Sequence, residues 1–78
     1  MFNHSKVTKR KKETLKSMFP IGSRVKIINL VNEEPNLPDG TIGTVIGYDD
    51  QPALLVKWDN GSSLNLLPYE GDNFEKVN

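Results

Sequence analysis

Asp49, Asp50 and Asp59 are the residues whose type best suits chemistry, because neighbouring carboxylates can bind magnesium or share a proton. Their positions argue for a plainer role. Asp49 and Asp50 adjoin in a turn signal and Asp59 opens an Asn-Gly loop, places where Asp side chains bond local backbone amides. The single histidine, His4, lies in a polar start without periodicity, and there is no cysteine. Disulfides, thiolate metal sites and most zinc and triad arrangements are thereby removed. No nucleophile stands with a base, and no glycine loop or ligand spacing suits a phosphate or a metal. The expectation is a non-catalytic chain with no cofactor and no metal.

Recognition is the chemistry that remains. Tyr48 and Tyr69 flank turns and are candidates for a contact surface. Trp58 has two readings: a stacking platform for a base or a peptide proline, or a core residue packed with Val56 and Leu64. Glu33, Glu34, Asp49 and Asp50 would give such a surface an acidic rim suited to a basic partner segment. Lys9, Arg10, Lys11, Lys12 and Lys16 could instead reach nucleic-acid phosphates, with the strong salt dependence that counterion release brings. The bland reading of that run is a solvated helix face.

A formal net charge of zero hides a separation along the chain. Residues 1–18 carry Lys6, Lys9, Arg10, Lys11, Lys12 and Lys16 against Glu13 alone, a net of plus five. Residues 19–78 carry Arg24, Lys26, Lys57 and Lys76 against nine acids, a net of minus five. A basic arm is joined to an acidic body. At 78 residues there is chain for one small core and for no large enclosed substrate cavity. No apolar run approaches membrane-spanning length and the start is too polar for a secretory signal, so a cytoplasmic location is expected.

The elements that must position these residues centre on 39–67. Gly40-Thr41-Ile42-Gly43-Thr44-Val45-Ile46-Gly47-Tyr48 mixes β-branched residues with glycines, a strand composition with permissive backbone points. Leu54 to Trp58 and Ser62 to Leu66 flank Asp59-Asn60-Gly61, a hairpin signal. Leu54, Val56 and Trp58 share one strand face, as do Leu64 and Leu66. Only a three-residue loop brings the two apolar faces together, pairing Trp58 with Ser62, Val56 with Leu64 and Leu54 with Leu66. The spacing therefore predicts a type I turn at Asp59 and Asn60 with Gly61 left-handed in a bulge.

Before that stretch, residues 8–18 are good helix formers, with Thr8 a possible cap and Pro20 a stop. Val7, Leu15, Met18 and Phe19 form a thin apolar stripe, too sparse for a helix to stand without docking. Val25 and Ile27 alternate with Arg24 and Lys26 as a first strand, and Asn32 to Gly40 is a long, proline-containing loop. Near the end, Phe74 is the expected core member of a short last strand. The count is five strands at 24–30, 41–48, 53–58, 62–67 and 74–77. A mainly β fold is expected: a five-stranded SH3-like barrel over 19–78 preceded by a short N-terminal α-helix in 1–18. A five-stranded oligonucleotide-binding barrel is the alternative.

Phe19-Pro20-x-Gly22-x-Arg24-Val25, the prolines before Gly40-Thr41-x-Gly43-Thr44-Val45, Asp49-Asp50 and Val56-x-Trp58-Asp59-Asn60-Gly61-Ser62-Ser63-Leu64 together resemble bacterial domain-of-unknown-function family 4314. The resemblance covers about residues 13–77 and departs at the basic start and at Gln51-Pro52-Ala53. It implies an SH3-like barrel from Gram-positive bacteria or their phages and mobile elements, and it implies no reaction. Gly40-x-x-Gly43-x-Val45 is also similar to KOW modules, and Val56-x-Trp58-Asp59-Asn60-Gly61 to MIB/HERC2 barrels, at positions where barrel geometry itself demands such residues. The function expected is an interaction module for a protein partner, through Tyr48, Trp58 and Tyr69 between the long loop and the hairpin turn. Nucleic-acid binding by the arm is the alternative. Neither a membrane partner nor a particular oligomeric state is expected.

Overall fold

The computed structural model describes residues 4–32 and 34–77, with side chains from Lys9 onward. Helix α1 (His4–Met18) leads into strands β1 (Arg24–Asn29), β2 (Ile42–Asp49) and β3 (Ala53–Trp58), a 3-10 turn at Pro68–Glu70 and strand β4 (Asn73–Lys76). The helix is already formed at His4, so Thr8 is not its cap. The sheet is antiparallel throughout, in the order β3-β2-β1-β4.

This corrects the expected architecture. Four strands form an open sheet, not five closing a barrel. The stretch expected as a strand at 62–67 contributes only two isolated bridges to β3, Leu54 with Leu66 and Lys57 with Ser63. The reason lies in one carbonyl. Val56 and Leu64 stand opposite each other in this register, but the Leu64 carbonyl accepts the Trp58 Nε1–H at 3.0 Å in place of a strand partner. The ladder breaks there.

The hairpin turn itself forms as its residues predict. Gly61 N–H donates to the Trp58 carbonyl (3.0 Å), Trp58 N–H to the Ser62 carbonyl (3.3 Å), and Gly61 has φ +88°. Leu54 and Leu66 exchange both backbone bonds at 2.9 Å. The Asn60 side chain closes the loop by accepting from Ser62 N–H at 2.9 Å.

Two irregularities re-aim side chains. Between Val45 and Gly47 the β2–β3 register slips, leaving Ile46 unpaired and 55 % exposed, so that Val45 and Tyr48 both face the core side. A second slip in the β1–β4 pairing, between Ile27 and Asn29, leaves Ile28 exposed. The first slip is bounded by Gly47, which pairs with Leu55, whereas the second has neither a proline nor a glycine beside it.

The core collects Leu15 from α1, Val25 and Ile27 from β1, Val45 from β2, Leu54, Val56 and Trp58 from β3, and Leu30, Leu37 and Leu66 from the connections. Phe19, Tyr48, Leu64 and Phe74 pack around its margin, with the Phe19 and Phe74 rings 5.1 Å apart. Leu15 is the anchor of α1; Met18, assigned with it to one apolar stripe, is 57 % exposed. The Val7 side chain lies outside the described residues. Arg24 and Lys26 leave the core as expected and hold the sheet's outer face through ion pairs to Asp59 (2.5 Å) and Glu75 (3.1 Å).

Candidate protein-binding surface

The long connection from β1 to β2 doubles back against the body at two points. Asn60 Nδ2–H donates to the Asn36 carbonyl (2.7 Å), and Asp72 accepts from Val31 N–H (3.0 Å) and Leu67 N–H (2.9 Å) through its two oxygens. With Leu30 and Leu37 buried beneath it, the loop stands as a wall beside residues 62–72. Between the two lies a furrow.

Two depressions make up that furrow and a third opens within the loop itself, and Glu34 lines all of them. The largest, about 560 Å³, runs from Asn29 and Leu30 past Glu34 and Leu37 to Asp39. The other two are walled on the far side by Leu64, one of them also by Leu67 and Glu70. Leu30, Leu37, Leu64 and Leu67 are among its lining residues, and the carboxylates of Glu34, Asp39 and Glu70 are exposed around it. An open, acidic, partly apolar channel of this kind suits an extended segment better than a small enclosed substrate.

The aromatic residues expected to line this space lie elsewhere. Trp58 is 1 % exposed and fills the core, so of its two readings the structure gives packing. Tyr48 is half-buried at the end of β2, donating its hydroxyl to the Phe19 carbonyl (2.7 Å) under the end of α1. Burial pushes the Tyr48 phenol above its usual range, and the Ile21 backbone amide partly offsets that. Tyr69 is 44 % exposed, with Lys11 Nζ 5.0 Å above its ring. Both tyrosines thus form the seat of α1.

The acids divide in the same way. Asp50 is taken by Lys12 at 2.8 Å, a bond that holds the Asp50 carboxyl below its usual range and the Lys12 ammonium above its own. Asp49 accepts from the Asp50 N–H at 2.7 Å, the turn role its position suggests. Asp59 is bound by both terminal nitrogens of Arg24, and that pairing holds its carboxyl below the usual range. Glu34 is therefore the expected rim residue that does line the furrow, and Glu33 lies outside the described residues. Among the described residues, no group of three His, Cys, Asp or Glu side chains is close enough to hold a metal.

The basic run is split by the docking of α1. Lys11 and Lys12 turn to the body, and Lys16 lies 4.0 Å from Glu13 and 5.9 Å from the Tyr48 ring centre. Lys9 and Arg10 are exposed. Residues missed by sequence reasoning are Leu30, Leu37, Asp39, Leu64 and Glu70, which become a surface only when the loop folds back. The doubly bonded Asp72 that pins the loop gave no signal beyond its place in a turn.

A family model described as a domain of unknown function, DUF4314, matches residues 8–77. No curated protein and no solved structure matches the chain. No described helix is long and apolar enough to cross a membrane.

Proposed function

We propose, for a chain that belongs to the DUF4314 family and takes no reaction from it, a non-catalytic role as an interaction module. Its binding site is the furrow between residues 29–39 and 62–72, and its ligand is an extended protein segment carrying basic side chains. One observation carries this reading: the three depressions share Glu34, with leucines and exposed carboxylates among the residues that line them. Apolar contact supplies affinity, and the rim selects for lysine or arginine and rejects acidic segments.

Titration of the isotopically labelled chain with short extended peptides, one basic and apolar and one acidic, tests it. The basic peptide is expected to shift backbone resonances of Leu30, Glu34, Leu37 and Leu64. Shifts confined to α1, or equal response to both peptides, would refute it. Nucleic-acid binding by the arm stands second, favoured by the exposure of Lys9 and Arg10 and opposed by the turning of Lys11 and Lys12 onto the body.

A further inference from the structure

We infer that the furrow takes the basic arm of a second copy of this chain, Lys9 and Arg10 of one copy facing Glu34 and Asp39 of the other. The inference rests on the furrow reading above and commits it to one occupant. Its basis is charge that the fold does not neutralise within one molecule. Helix α1 is fixed at its second half, where Leu15 is 2 % exposed, Lys12 holds Asp50 at 2.8 Å and Tyr48 bonds the Phe19 carbonyl. Lys9 precedes Leu15 by six residues, about 9 Å along a helix. Its charge and that of Arg10 are held away from the docking point.

Among the described residues, neither Lys9 nor Arg10 forms an ion pair, and neither do Glu34, Asp39 and Glu70. The arm is net plus five and the rest of the chain net minus five. Complementary fields of this size orient an encounter between two copies and penalise the like-charged alignments. A polyanion drawn to the arm would meet the acidic body on arrival. A second copy would present opposite charge at both ends. The contact joins two different surfaces, so it either closes on itself in a reciprocal pair or extends into a chain of copies.

Sedimentation equilibrium of the full chain tests this at about 0.01 M and about 0.15 M salt, between which the screening length shrinks from ~30 Å to ~8 Å. At low salt the mass is expected to rise above 8.8 kDa with protein concentration. At the higher salt the association is expected to weaken roughly tenfold, since the contact is made by exposed charges. Lys9→Glu with Arg10→Glu, and separately Glu34→Lys with Asp39→Lys, should each restore the monomer, and an equimolar mixture of the two variants should associate again. Circular dichroism checks that each is folded, and Lys9→Gln with Arg10→Gln and Glu34→Gln with Asp39→Asn replace any that is not. A monomer at low salt and high concentration overturns the inference, as does association that survives both changes. So does a Lys9 and Arg10 variant that loses a nucleic-acid mobility shift while still self-associating. Peptide binding in the furrow without self-association would defeat this inference and leave the furrow reading standing.

Discussion

The Trp58 ring occupies the space that a side chain on Gly43 would need: a Cβ built there would lie 2.6 Å from Trp58 Cε3 and 2.6 Å from Val56 Cγ1. Gly43 pairs with Trp58 across the β2–β3 ladder, so the large ring folds over the bare backbone opposite it. Gly43→Ala is expected to cost about 2–3 kcal/mol, because a packed core accommodates an added methyl only by shifting rings and backbone. Urea unfolding checks it. Gly47→Ala should be much milder, since there the nearest atom is the movable Leu55 Cδ1 at 3.3 Å.

Leu15→Ala should release α1 from the body. Removing a buried leucine costs about 2–5 kcal/mol when the site cannot collapse. The value here belongs at the low end, because the helix can detach as a unit. Amide hydrogen exchange should show α1 losing protection while β1 to β3 keep theirs. Equal loss across helix and sheet would show that the helix is integral to the folding unit. Lys12→Ala, which removes a surface ion pair to Asp50, should leave the urea midpoint almost unchanged.

Asp72→Ala removes the acceptor for both Val31 N–H and Leu67 N–H. Charge-assisted bonds to backbone amides make this worth about 1–3 kcal/mol. The loop 30–39 should loosen, and peptide binding in the furrow should fall more than it does for Asp49→Ala, whose carboxylate accepts from the Asp50 N–H away from the furrow.

Acid should weaken the fold through Asp50 and Asp59. Both carboxyls are held below their ordinary value of 3.8, chiefly by hydrogen bonds from Lys12 and Arg24. The unfolded chain therefore takes up these protons first. The stabilisation is fully present above that value and is lost as pH falls through the lower folded-state values. Asp50→Asn and Asp59→Asn together should flatten the acid limb of a stability-against-pH curve, while a limb of unchanged slope would assign it to other groups.

The hairpin was legible in the sequence because two independent signals agreed there. Alternation placed Leu54, Val56 and Trp58 on one face, and Gly61 supplied the one residue suited to positive φ at the turn. The barrel count failed where a side chain competed with the backbone: nothing in a period-two pattern foretells that Trp58 Nε1 will claim the Leu64 carbonyl. The slip at Ile46 was hidden for a similar reason, since strict alternation would have turned Tyr48 outward. Of the candidate site, the acidic character was readable and Glu34 was found. Its walls were not, because Leu30, Leu37 and Leu64 adjoin only after the long loop has folded back. The tyrosines were misplaced because the thin apolar stripe of α1 calls for docking without saying where, and Tyr48 and Tyr69 are the residues it docks on.

Seating Leu15 among strand residues has a practical corollary for anyone who trims the chain. A fragment beginning at Phe19 would carry an oily notch where the leucine sat, bordered by two uncovered phenol rings, and would clump in solution. Its stickiness would then pass for genuine ligand capture in any bait experiment, so the intact polypeptide is the proper reagent.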